Sequence, residues 1–149
     1  MGQDTTTLYS GTFERSMDAK KRVAVPASWL SQGEGEIFHV IPHPTEGYLM
    51  VMPPAEFDRW EQRFQEAPLS AAEKRMAIRQ FYSEAHAVTT DKQGRVVLNE
   101  KHCERAGLTG EVVFVGGRSR FEIWSANRHA EAQAGQADTY KRVADAIGL

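Results

Sequence analysis

Apolar and polar positions fall into short alternating runs, interrupted midway by a stretch of helical period. Residues 9–15 favour an extended strand through Tyr, Thr and Phe. Ser16 to Lys21 reads as a turn, and Arg22 to Val25 as a short apolar strand stopped by Pro26. Pro26 suits the first position of a short helix, Ala27 to Leu30, which Gly33 and Gly35 end. Glu36–Ile41 and Tyr48–Met52 follow as two strands, joined by a loop holding Pro42, Pro44 and Gly47. The period then changes. Phe57, Trp60 and Phe64 share one helical stripe, Pro68 interrupts, and Ser70-Ala71-Ala72-Glu73 forms a capping box for a second helix. That helix carries its own stripe of Ile78, Phe81, Tyr82 and Ala85. Both read as amphipathic helices packed on the strands. Short strands then return, with a helix over Asn99–Ala106 ended by Gly107 and a tight connection at Gly116-Gly117. Ala126 to Ile147 is polar and Ala-rich; it reads as helix broken near Gly135, in part a frayed tail.

The two strand-rich stretches resemble each other. At an offset of 73, Tyr9-Ser10 falls on Tyr82-Ser83, Asp18 on Asp91, Arg22 on Arg95 and Val23 on Val96. Glu36-Ile37-Phe38-His39-Val40 matches Glu111-Val112-Val113-Phe114-Val115 at 75, and Tyr48-Leu49-Met50-Val51 matches Phe121-Glu122-Ile123-Trp124 at 73. Few residues are identical, but the blocks keep one order. The division is into a unit over 10–56, a helical linker over 57–82, a second unit over 83–128 and a helical tail over 129–149.

Composition changes this picture little. The chain has 149 residues, 41% hydrophobic and 26% charged, as in an ordinary globular domain or two small ones. No apolar run approaches a membrane span, and Met1–Thr7 lacks the basic and apolar regions of a signal peptide. With a single cysteine, Cys103, the default is a reducing cytoplasm. The net charge of -2 excludes a strongly basic coat but not a local cationic site. Such a site is present: residues 14–22 hold Arg15, Lys20, Lys21 and Arg22 against Glu14 and Asp18, and residues 91–95 hold Lys92 and Arg95 against Asp91.

Each unit places Asp and Arg four apart across a turn between two strands. Asp starts turns because its carboxylate accepts backbone N–H groups, and it can also hold Arg. One copy reads as a salt-bridged turn closing a hairpin. Two copies, each with neighbouring cations, point to anion recognition, since guanidinium suits phosphate or the major-groove edge of guanine and Lys suits phosphate.

The segments Asp18-Ala19-Lys20-Lys21-Arg22-Val23-Ala24-Val25-Pro26 and Asp91-Lys92-Gln93-Gly94-Arg95-Val96-Val97-Leu98 resemble the MraZ family of bacterial transcriptional regulators. Gly107-Leu108-Thr109, Glu111-Val112, Val115-Gly116 and Phe121-Glu122-Ile123-Trp124 support the likeness, which covers about residues 8–128. The resemblance implies an α+β, β-rich fold of two SpoVT-AbrB-type units. Their swapped hairpins would interlock into a pseudo-twofold barrel, with the amphipathic helices as linkers. It implies a ring-shaped homo-oligomer, cytoplasmic and nucleoid-associated, that binds double-stranded DNA at short direct repeats upstream of the cell-division and cell-wall gene cluster. Arg22 and Arg95 would contact DNA, and Asp18 and Asp91 would shape the loops. Lys20, Lys21, Lys92 and Arg15 join them, from charge and position, as phosphate contacts. The family commonly has Gly before the arginine. Lys21 departs from that and is strained if the position needs a positive φ. Asn99 stands where the first copy has Pro26.

Other constellations carry less. His102-Cys103 lacks partners at ligand spacing, so Cys103 reads as a small buried residue and no metal, cofactor or small-molecule substrate is expected. No catalytic motif is present, so the chain is not expected to be an enzyme. His39 and His86 read as half-buried strand residues, and Trp29, Trp60 and Trp124 as core or subunit contacts. The linker helices carry more aromatic surface than a small unit needs, which favours a homo-oligomer. The competing function is an antitoxin-like protein-interaction module of the same fold.

Overall fold

A computed structural model describes residues 7–149; of the N-terminal stretch Met1–Thr7 discussed above, all but Thr7 lie outside the described residues. The elements run β1 (Thr12–Ser16), β2 (Arg22–Ala24), a 3-10 turn (Ala27–Trp29), β3 (Ile37–Pro42), β4 (Leu49–Met52), α1 (Pro54–Glu66) and α2 (Ala71–Glu84). Then come β5 (His86–Thr89), β6 (Arg95–Val97), α3 (Glu100–Ala106), β7 (Glu111–Gly116), β8 (Phe121–Ser125) and α4 (Ala126–Ala146).

The halves share their sheets. A six-stranded antiparallel sheet has the order β1-β7-β8-β4-β3-β5, and β2 pairs with β6 in a separate two-stranded ribbon. Strand β1 of the first half lies on β7 of the second, and β5 of the second lies on β3 of the first. Exchanging the two halves leaves the strand order unchanged, read backwards. The fold is α+β, and neither half completes its sheet without the other.

The registers correct the repeat. Phe13 faces Phe114 in one half and His86 faces Val40 in the other, which sets the offset between β3 and β7 at 74 rather than 75. His39–Met52 and Val113–Trp124 are then equivalent pairs, and the β4-to-β8 offset is 72 rather than 73. The loop between β3 and β4 spans 43–48 and that between β7 and β8 only 117–120, which accounts for the change. A one-residue slip moves every side chain of a strand to the opposite face. With the corrected offsets, Phe38 matches Val112 and Leu49 matches Phe121, all four in one core. The match of Tyr9-Ser10 to Tyr82-Ser83 fails, because Tyr9 bridges Arg118 while Tyr82 sits on the last turn of α2.

The sheet is buried on both sides. Alternate residues of β3, β4, β7 and β8 (Phe38, Val40, Leu49, Val51, Val112, Phe114, Phe121 and Ile123) join Val23, Val25, Val96 and Leu98 of the ribbon segments, Trp29, and Cys103 and Ala106 of α3. Ile41, Tyr48, Met50 and Met52 form the core of the other face, with Phe57, Trp60, Phe81 and Trp124 packed against them. Hence β4, Leu-Met-Val-Met, is apolar at every position. Ribbon and linker helices therefore cover opposite faces of the sheet.

Element ends follow local chemistry. The Ser70–Glu73 capping box forms as its spacing predicts. Pro54 opens α1 near its first position, so the helical pair spans 54–84, wider than the 57–82 read from the stripes. Pro26 caps only a single 3-10 turn, whereas Asn99 at the equivalent place accepts from Lys101 N and His102 N and starts a longer helix. The break expected near Gly135 is absent: α4 runs through it to Ala146. One glycine costs about 1 kcal/mol relative to Ala in a helix, and the flanking alanines absorb it.

Candidate nucleic-acid interface

The two Asp-x-x-x-Arg turns fold alike. In the first, Asp18 Oδ1 accepts from the backbone N–H groups of Lys20 and Arg22, each at 2.9 Å. Its Oδ2 accepts from Arg22 Nε at 2.7 Å. Asp91 accepts in the same way from the N–H groups of Gln93 and Arg95, and from Arg95 Nε, all at 2.9 Å. The N–H of Arg22 is the main force holding the Asp18 carboxyl below its ordinary range, with the Arg22 side chain and the Lys20 N–H adding to it. The N–H of Arg95 does the same for Asp91, supported by its side chain and Gln93. Both aspartates stay anionic at neutral pH. Each is exposed by more than a third, so the pairs fix geometry rather than stability.

The remaining contacts tie the turns together. Lys21 and Gly94, the residues before the arginines, both have positive φ, 64° and 75°. The Lys21 carbonyl accepts from Leu98 N at 2.9 Å, and the Gly94 carbonyl accepts from Val25 N at 3.0 Å. Each turn is thus bonded to the strand end of the other half.

The pairing decides where the arginines point. Arg22 faces Val97 and Arg95 faces Ala24, while Val23 and Val96 face each other and are buried. Side chains alternate across a strand, so Arg22, Ala24, Arg95 and Val97 share the ribbon's outer face. Val97 is 56% exposed there. The arginines are diagonal neighbours, roughly 7–8 Å apart. The turns themselves sit at opposite ends of the ribbon, separated by four extended residues or roughly 13 Å. This outer face points away from the sheet and from α1 and α2.

Each guanidinium is gripped through Nε, which leaves its terminal nitrogens toward solvent. Those of Arg22 make no hydrogen bond among the described residues. Arg95 Nη2 also donates to Gln93 Oε1 at 3.3 Å. Lys20 and Lys92 are exposed on the turns, and Lys21 is half-buried. Arg15 stands apart on edge strand β1, where it donates to the Glu14 carbonyl at 2.9 Å and lies 5.4 Å from the Phe13 ring centre. The structure thus brings Asp18, Lys20, Lys21, Arg22, Asp91, Lys92 and Arg95 to one ribbon and leaves Arg15 beside it. Gln93 carries no charge or motif that marks it in the sequence. Its only signal is that it stands where the first turn has Lys20.

Among the described residues, no cluster of three or more His, Cys, Asp or Glu is placed to hold a metal ion. Cys103 is buried in the main core, 4.0 Å from Met17 Sδ, and burial pushes its thiol up.

A sequence model of the family described as "MraZ protein, putative antitoxin-like" matches the chain twice, over residues 8–80 and 81–147. The chain belongs to the MraZ family. Each matched MraZ segment carries one of the two turns. Similar proteins include the "Transcriptional regulator MraZ" of Symbiobacterium thermophilum, 35% identical over 93% of this chain and 99% of that one. The protein of the same name from Heliobacterium modesticaldum is 33% identical over 94% and 96%. That from Clostridium beijerinckii is 34% identical over 88% and 91%. No helix among the described residues is long and apolar enough to cross a membrane.

Proposed function

We propose that the protein is a sequence-specific DNA-binding transcriptional regulator, cytoplasmic and nucleoid-associated, that grips the double helix with the outer face of the β2–β6 ribbon. One observation carries this: Arg22 and Arg95 stand on the same solvent face, each oriented through Nε by its own aspartate. A two-stranded ribbon fits the major groove of B-DNA, and an oriented guanidinium fork matches the O6 and N7 acceptors of guanine. Lys20, Lys21, Lys92 and Arg15 serve as phosphate contacts that position the ribbon. The relatives' shared name supports the regulatory role.

The finer reading follows from family membership. The units at 10–56 and 83–128 are SpoVT-AbrB-type, joined by the linker at 57–82 and followed by the tail at 129–149. Their exchanged strands make a swapped-hairpin barrel. The regulator assembles as a ring on short direct repeats upstream of the cell-division and cell-wall gene cluster, where avidity multiplies a weak single contact. Self-assembly is supported by Trp60, Phe64, Ile78, Phe81 and Tyr82, which remain only half-buried in the single chain. It is a regulator and not an enzyme.

Titration of fluorescent duplex, selected from a random pool by the parent protein, tests this. Arg22→Ala and Arg95→Ala lose specific binding while near-ultraviolet circular dichroism of the Trp29 core is retained. Parent affinity falls steeply with salt. If both variants bind like the parent, the reading is wrong. A second reading, an antitoxin-like interaction module, is favoured by the family description and by Tyr140 and Val143, exposed along α4, with Ile147 exposed just beyond its end. A stoichiometric complex with one protein, without any affinity for DNA, would select it.

A further inference from the structure

The two turns differ in one respect that matters for recognition. In the second, the Arg95 guanidinium is held on two sides: Nε by Asp91 Oδ2 and Nη2 by Gln93 Oε1. In the first, Arg22 is held by Asp18 alone, and the position equivalent to Gln93 is Lys20, which has no acceptor. A guanidinium gripped only at Nε still turns about its terminal torsions, whereas a second acceptor fixes the plane in which its fork presents N–H groups. Orientation of that plane is what a bidentate contact to a base requires; a phosphate tolerates many approaches.

We infer that Gln93 is a positioning residue that locks the plane of Arg95, so that the second turn discriminates sequence while the lysine-rich first turn, Lys20-Lys21-Arg22, anchors mainly to phosphate. This rests on the DNA-binding reading above. The pairing geometry is consistent with the division of roles. Both arginines share one ribbon face, so one turn can sit over base edges while the other meets the flanking backbone. Charge agrees as well: the first turn holds three cations against one acid, the second two against one.

The test compares affinity for the selected duplex with affinity for a scrambled duplex of the same length and composition. Gln93→Met removes the acceptor with little change in size and none in charge. It is expected to lower the ratio of the two affinities by about tenfold, the size of one good base contact, while binding to scrambled duplex and its salt dependence stay put. Gln93→Glu keeps an acceptor for Arg95 but not the amide donors. It is expected to weaken both duplexes alike and preserve the ratio. Retention of the parent ratio by Gln93→Met overturns the inference. So does a loss in Gln93→Glu as large as in Gln93→Met, since the amide would then be touching DNA itself. The arginine variants separate the levels: if Arg22→Ala and Arg95→Ala both leave specific binding intact, the DNA-binding reading fails; if Arg95→Ala abolishes the ratio while Gln93→Met does not, only the positioning role fails.

Discussion

Lys21 offers a quantitative test of the turn geometry. Its φ of 64° puts an L-residue with a full side chain in the left-handed region, which costs about 1–2 kcal/mol relative to glycine. The conformation is imposed from both sides: Lys21 N donates to the Asp18 carbonyl at 3.0 Å, and its own carbonyl accepts from Leu98 N at 2.9 Å. Replacing Lys21 by Gly removes the strain but adds about 0.5–1 kcal/mol of backbone freedom to the unfolded chain. The net expectation is stabilisation by about 0.5–1 kcal/mol, or about 2 °C in Tm for a chain of this size. Gly94 gives the reverse experiment. Gly94→Ala introduces the same strain at φ 75° and brings a Cβ to 3.0 Å from Leu30 Cδ1, so it destabilises by about 1 kcal/mol. Urea unfolding, followed by tryptophan fluorescence at one fixed protomer concentration, reads both. A lowered midpoint for Lys21→Gly, or a raised one for Gly94→Ala, refutes the reasoning. On DNA, Lys21→Gly should flatten the salt dependence by about one counterion per protomer even as the fold gains stability.

Three further outcomes are expected. Gly116→Ala would place a Cβ 2.6 Å from the Tyr9 carbonyl oxygen, backbone against backbone, so it should peel β1 from β7 and speed amide exchange in residues 12–16 more than in β3 or β4. His102 is buried; its Nε2 meets the Glu84 carbonyl at 2.7 Å, and Nδ1 has no partner among the described residues. Burial, with His86 and Arg105 nearby, lowers its proton affinity against the pull of Glu84, so the unfolded chain binds the proton more readily. Stability should therefore fall as pH drops below the ordinary 6.5, and His102→Gln should flatten that slope in urea midpoints taken between pH 7 and 5. Asp18 and Asp91 have the usual sign for carboxylates: their contribution is complete above the ordinary 3.8 and is lost as pH falls through their lowered values, so urea midpoints should be lower in Asp18→Asn than in the parent at neutral pH and should fall less steeply toward acid.

The sequence made the local elements readable because their signals are local. The capping box at Ser70, the arginine-bearing turns and the alternation of β8 each depend on a few adjacent residues. The offsets of the repeat were misread by one in two places, since short apolar runs such as Glu111-Val112-Val113-Phe114-Val115 match equally well in either register. Only cross-strand pairing shows that Val112, not Val113, shares a core with Phe38. The apolar run Leu49–Met52 likewise conceals that the sheet is covered on both sides. The Asp-x-x-x-Arg spacing made both turns readable, because a carboxylate reaches its own i+4 guanidinium through local geometry. Gln93 remained hidden because all three inner residues differ between the turns, and only the folded turn shows which of them reaches Arg95. The exchange of strands between halves is a tertiary choice with no mark in either half alone.

The most direct measurement of the central claim is site-specific photo-crosslinking to duplex DNA. Val97 lies on the outer ribbon face opposite Arg22, 56% exposed, and Met76 lies on α2 across the sheet, 66% exposed. With benzoylphenylalanine at one position at a time, the account predicts crosslinks to the selected duplex from residue 97 and none from residue 76. Crosslinking from residue 76 with none from residue 97 would place the nucleic acid on the wrong side of the molecule and contradict it.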